Sequence, residues 1–323
     1  MNRRKVILDV DPGVDDMAAI LLALASPELE ILGICAGAGN VPQPVALENA
    51  RRVLAMARAD IPLLAGCEKP LLRDQVFGRH RAHGVFSDDL VPPAGAPKPL
   101  GAAAAFIAQA ARSASDRGEA ITLCASGPLS AIALALALGE HVRSGIDEIT
   151  IMGGAFRALG NRVPWAEFNM LADPHAAAMV FASGVPVTLF PLDVTLEVLV
   201  TAVHLDALRA NGGAIGSAFA DVFAGADRED PVRYGRPGGP VHDALPITYL
   251  LAPELFAFTP ARLGIVSEGP QMGHTFADFS TAEPGVNTQI ALSADEAGVL
   301  DLLCSRLARI ETTSKYPSER IIQ

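Results

Sequence analysis

Aromatic residues make up only 5% of this 323-residue chain, and lysine plus arginine number 25 against 36 acids. The resulting formal charge of −11 argues against nucleic acid or an anionic membrane surface as a partner, since both repel an acidic protein. A small neutral or cationic substrate fits better. Cysteine is scarce too: Cys35, Cys67, Cys124 and Cys304 are scattered, and three of them lie in apolar patterns with no CxxC or Cys/His spacing. That excludes a disulfide framework or a zinc ribbon and predicts reduced core thiols. Long apolar runs are missing as well. The basic start Met1 to Lys5 is followed by an apolar stretch that Asp9 cuts short, so neither a signal peptide nor an anchor is read, and a cytoplasmic protein is expected.

What the chain has instead is aliphatic mass and clustered acid. Half of its residues are hydrophobic, enough for a sizeable core, and the expected organisation is one globular unit over residues 1–310 with a polar tail over 311–323. Four carboxylates fall within eight residues in Asp9-Val10-Asp11-Pro12-Gly13-Val14-Asp15-Asp16. Val6-Ile7-Leu8 before them reads as a buried parallel strand, and Met17 to Ala25 after them as a helix, so the acids occupy a strand-to-helix turn. A helix cap accounts for one carboxylate and the usual acid excess of a first turn for another. The rest repel one another without return unless a hard cation is held between them.

The same grammar continues. Strands are read at Leu29 to Ala36, Ile61 to Ala65, Ala120 to Ala125, Ile146 to Met152 and Val185 to Leu192, alternating with helices near residues 44–59, 101–117, 129–138 and 174–183. This alternation predicts an α/β fold: an open, mostly parallel, doubly wound sheet with a Rossmann-like core. The C-terminal third adds helices at 214–223, 244–251 and 294–309. Short strands within 262–267, 275–278 and 288–292 are expected to extend the sheet. Two long irregular stretches, 66–99 and 155–173, carry polar residues and are read as functional loops. Asp9, Asp11, Asn40 and Ser126 all stand at carboxyl ends of strands, where open α/β sheets bind their ligands, with Met152 beside them and His242-Asp243 opening a later helix.

The motifs Asp9-x-Asp11-Pro12-Gly13-x-Asp15-Asp16, Ala38-Gly39-Asn40-Val41, Ser126-Gly127-Pro128-Leu129, Met152-Gly153-Gly154, Glu167-Phe168-Asn169, Asp173-Pro174 and His242-Asp243 resemble the nucleoside hydrolases of the inosine-uridine preferring type, in family order as far as about Asp278. The resemblance implies a calcium-dependent ribonucleoside hydrolase, a homodimer or homotetramer active in purine and pyrimidine salvage. It implies Ca2+ held by Asp11, Asp16, Asp243 and the main-chain carbonyl of Ser126, an oxygen set that suits this hard ion. It further implies Asp11 as the base that activates water and His242 as the acid that protonates the departing base, a task suited to a group titrating near neutrality. Asp15, Asn40, Asn161, Glu167 and Asn169 would hold the ribose, and Met152 and His83 complete the substrate-binding set. At His83 the chain departs from the family, where His-Gly, two variable residues and Gly-Leu are usual; here Val85-Phe86-Ser87-Asp88 follow Gly84, and the preferred base stays open.

Two other readings compete. Asp9-Val10-Asp11 after an apolar strand also resembles the nucleophile and acid of a haloacid-dehalogenase-like phosphatase, but that leaves Asn40, Glu167-Phe168-Asn169 and His242-Asp243 without roles. A non-catalytic nucleoside- or ribose-binding protein on the same fold is the other, and the intact carboxylates with His242 speak against it.

Overall fold

The computed structural model describes residues 3–78, 86, 88, 89, 91, 101–226, 228, 230–280 and 288–310. The apolar runs fold as expected into parallel strands β1 (Arg4–Val10), β2 (Leu29–Ala36), β3 (Leu63–Ala65), β4 (Ile121–Ala125), β5 (Ile146–Met152) and β6 (Val187–Phe190). Later come the small pair β7 (Leu199–Val200) and β8 (Gly239–Pro240), then β9 (Phe256–Pro260), β10 (Arg262–Ile265), β11 (Thr275–Asp278) and β12 (Thr288–Ala294). The main sheet has eight strands in the order β3-β2-β1-β4-β5-β6-β12-β9. All its pairs are parallel except β12 with β9.

Helices cover both faces. Val6, Leu8 and Val10 of β1 pack into one layer with the helices Val14–Leu24, Gly213–Gly225, Ala244–Leu251 and Glu296–Leu307, whereas Ile7 packs into the opposite layer with Ala103–Asp116, Ser130–Leu136 and Pro174–Phe181. Each such aliphatic side chain contributes about 1.5–3 kcal/mol by leaving water. Double-sided burial is why these strands read as continuous apolar runs rather than as alternating ones. Because β2 and β4 lie on either side of β1 and are reached by connections running in opposite directions along the sheet, a crevice opens at the carboxyl ends of β1 and β4.

Two expectations change in the C-terminal third. β10 and β11 do not extend the main sheet; they form a separate antiparallel hairpin. The edge of the main sheet is β9, a strand absent from the sequence reading. Its Phe256 and Phe258 stack edge-on against Phe190 of β6, at 5.3 and 5.9 Å between ring centres, so aromatic packing holds a strand whose last residue is a proline. Inside the second long loop, Glu167 caps a short helix, Phe168–Ala172. The tail over 311–323 and His83 with most of its loop lie outside the described residues.

Candidate active site

The turn after β1 is built by its own acids. Gly13 stands in an extended conformation before the helix Val14–Leu24, and its N–H donates to Asp16 Oδ2 at 2.8 Å, which fixes Asp16 in the first turn. Ser126, one residue past β4, donates its hydroxyl to Asp16 Oδ1 at 2.7 Å and so stitches the two central strands together at their ends. Asn49 holds the turn from outside through the Pro12 carbonyl at 3.0 Å. Asp11 Oδ2 accepts the main-chain N–H of Asn40 at 2.6 Å, beside the end of β2. Gly39 is required there, since a Cβ on it would fall 2.0 Å from Asp11 Oδ2.

Asp243 arrives from the far end of the chain, just before the helix Ala244–Leu251, which packs on Val14–Leu24. Asp15, Asp16 and Asp243 can each direct an oxygen to within 4.8 Å of the others, and all three are buried. The sequence reading placed Asp11 rather than Asp15 among the ligands. Among the described residues the tight trio contains Asp15, while Asp11 lies close enough to act on Asp16 and Asp243 through its charge. Asp11 Oδ1 is buried and has no hydrogen-bond partner. Buried oxygens of this kind, crowded and partly unsatisfied, fit a hard divalent cation.

The electrostatics follow from the crowding. Burial, then the charge of Asp16, raises the Asp11 carboxyl well above the ordinary carboxylate range. Burial pushes Asp16 up to about 7, with Asp15 adding to the rise, and Asp243 is raised by burial and by Asp15, Asp16 and Asp11. Asp15 goes the other way. Burial works to raise it, but the guanidinium of Arg228 and then His242 hold it below its usual value. Arg228 grips Asp15 as a fork, with Nη1 to Oδ1 at 3.1 Å and Nη2 to Oδ2 at 2.9 Å.

The remaining expected residues gather nearby. Glu167 Oε1 accepts the N–H of Asn169 at 2.9 Å and Oε2 those of Gly154 and Met170 at 3.2 Å each, so this carboxylate caps its helix whatever else it does. Burial nonetheless lifts it to about 7. Asn169 Nδ2 donates to the Ser126 carbonyl at 2.7 Å and to that of Met152 at 3.3 Å, which brings β4, β5 and this helix to one point. Asn161 Oδ1 accepts from the Phe168 N–H at 2.8 Å, and Asn40 turns its amide towards the Asp11 carbonyl at 3.4 Å. His242 is partly exposed, with Nδ1 2.7 Å from Thr195 Oγ1. Burial draws its imidazole down to about 4 rather than leaving it near neutrality, against the pull of Asp15 and with the help of Arg228.

Asp9 is not part of this cluster. Strand alternation turns its side chain with Ile7 into the opposite layer, beside Cys35 and Cys67, where burial lifts it to about 8. The phosphatase reading needed Asp9 and Asp11 side by side over one reacting group, and it fails here. Two participants escaped the sequence reading. Thr195 ends the helix Leu192–Thr195, five residues past β6, beyond the offset at which Ser126 follows β4, so the strand-end rule does not reach it. Arg228 carries no signal either, lying in a stretch rich in glycine, proline and charge.

Over residues 6–301 the chain matches the family described as inosine-uridine preferring nucleoside hydrolase. It is 38% identical to the pyrimidine-specific ribonucleoside hydrolase RihA of Klebsiella pneumoniae subsp. pneumoniae, covering 94% of this chain and 98% of the relative. To the protein of the same name from Photobacterium profundum it is 37% identical, over 94% of this chain and 99% of that one. Among solved structures, a purine-preferring ribonucleoside hydrolase from Gardnerella vaginalis superposes with a TM-score of 0.86 at 28% identity, covering 95% of this chain and 99% of that one.

Proposed function

The chain belongs to the inosine-uridine preferring nucleoside hydrolase family and is a hydrolase of N-glycosyl compounds, and from that premise we propose how its residues cleave a ribonucleoside into ribose and free base. Asp11, Asp16, Asp243 and the carbonyl of Ser126 hold a calcium ion, with Asp15 at the edge of the same group. The observation that carries this reading is the convergence of Asp15, Asp16 and Asp243 beside a buried Asp11 oxygen that no protein donor satisfies. When bound, the ion supplies positive charge that eases the deprotonation of water and attracts the sugar's hydroxyl oxygens.

Asp11 Oδ1, free of hydrogen bonds, takes the proton from the attacking water, while Oδ2 stays fixed by Asn40. The water oxygen adds to the anomeric carbon as the bond to the base breaks. Asp15, Asn40, Asn161, Glu167 and Asn169 orient the ribose hydroxyls, and their acceptor oxygens steady the positive charge that grows on the ring. Met152, under the Asn169 amide, closes the floor of the sugar site. His242 faces the base. With Nδ1 accepting from Thr195, its neutral ring carries the proton on Nε2 and presents that N–H to the leaving group.

The test is a panel of ribonucleosides scored for free base, with and without a chelator, on the wild type and on Asp11→Ala. Loss of base release by more than about a hundredfold in both cases, with the fold intact by circular dichroism, is expected. Full activity in either would sink the metal and base assignments.

A further inference from the structure

Arg228 brings a cation into this acidic site, and its surroundings are those of a working group. Its fork on Asp15 joins residues 213 positions apart, Nη2 also donates to the Pro240 carbonyl at 2.9 Å, and the guanidinium lies 5.7 Å from the centre of the Phe223 ring. Its side chain is only 18% exposed. Gly239 makes room for it, since a Cβ there would meet the Arg228 Cβ at 2.8 Å. These bonds leave two N–H groups over, the second on Nη1 and the one on Nε, and Nε is buried with no partner. A guanidinium so fixed, with a buried N–H unspent, is arranged for an acceptor that the protein itself does not supply.

The location says which acceptor. Arg228 holds Asp15, which takes the sugar in the reading above and on which this inference rests, and lies close enough for its charge to act on His242, which faces the base in the same reading. A pyrimidine nucleoside carries a carbonyl oxygen on the carbon beside its glycosidic nitrogen, adjacent to the sugar. When the C1′–N1 bond breaks, its electron pair stays on N1 and spreads onto that oxygen. The water oxygen joins C1′, and the proton that the water gives up ends on the base. A purine spreads its charge chiefly over the five-membered ring, away from this position. We propose that Arg228 is a specificity-determining residue that touches the substrate, its guanidinium donating to the carbonyl oxygen next to the glycosidic nitrogen and stabilising a pyrimidine as it departs.

Arg228→Lys and Arg228→Met, assayed on uridine, inosine and p-nitrophenyl riboside, test this. Lysine keeps a cation on Asp15 but loses the fork. Because the fork also holds Asp15 on the sugar, both substrates should slow, but uridine should lose about tenfold or more in kcat beyond p-nitrophenyl riboside, whose leaving group needs no such help. Methionine should cost uridine about a hundredfold or more, and in both variants inosine should fall less than uridine. Should the Arg228→Met variant fail to fold, Gly239→Ala displaces the guanidinium without removing its charge and should reproduce the lysine pattern. Equal losses on uridine and p-nitrophenyl riboside, or none on either, would overturn the proposal. A wild type that hydrolyses none of the three would overturn the proposed function with it.

Discussion

At the scale of single residues the site depends on very close approach. Gly39 is the sharpest case, because even a methyl group there would occupy the space of Asp11 Oδ2. Gly39→Ala should therefore push the Asp11 carboxylate aside while leaving the sheet and its helices in place. A misplacement of about 1 Å in a catalytic group costs on the order of a hundredfold in rate, and that is the expected loss in kcat on any ribonucleoside the wild type cleaves. A thermal unfolding curve run in parallel separates this from global damage. If the variant retained more than a tenth of wild-type activity, Asp11 would not be the base. Glycine is needed here because the main chain of one strand end must touch the carboxylate of another, not because the turn requires an unusual dihedral angle.

At the scale of elements, Glu167 does two jobs that a pH measurement can separate. It caps the helix Phe168–Ala172, and burial lifts its carboxyl to about 7, above the usual 4.5. An acid raised in the folded state binds its proton more tightly there than in the unfolded chain. Its favourable contribution is complete below about pH 4.5 and is lost as the pH rises through about 7. Glutamine does not titrate. Against the wild type, Glu167→Gln should thus gain stability between pH 5 and pH 8, with a ceiling of about 3 kcal/mol, in urea unfolding at the two pH values. A difference that stays constant with pH would mean that the folded protein holds Glu167 ionised throughout. Such short elements also mark where sequence was silent. β1, β4 and the turn between Val10 and Val14 were legible because double-sided burial leaves an apolar run and a strand end leaves its acid or hydroxyl at a fixed offset. β9 was not, since its support is aromatic packing on Phe190, more than sixty residues away in the chain. Arg228 was not either, for its partner Asp15 is chosen by tertiary contact alone. The hairpin β10–β11 had the right local pattern, but local pattern does not say which sheet a strand joins.

For the molecule as a whole, the clustered carboxylates repel one another in its centre when no cation is bound. Binding a cation to the folded state only should offset this. At a hundred times the dissociation constant the gain is about 2.7 kcal/mol. For a chain of this length that corresponds to a rise of roughly 4 °C in the melting midpoint. Scanning calorimetry with calcium added and then chelated should show the shift appear and reverse, and Asp243→Asn should reduce it. No shift at millimolar calcium in the wild type would count against the ion being part of the fold. The distance between Asp15 and Arg228 along the chain has a further consequence, for biosynthesis. The ribosome delivers the acidic turn first and adds 213 residues before Arg228 emerges, with Asp243 later still. At about 5–20 residues per second that is a wait on the order of ten to forty seconds. Throughout it the apolar face of Val14–Leu24 lacks the helix Ala244–Leu251 that will cover it. Neither Arg228 nor Asp243 is present for the early steps, so the acidic turn is completed only after strands β1 to β6 have been made.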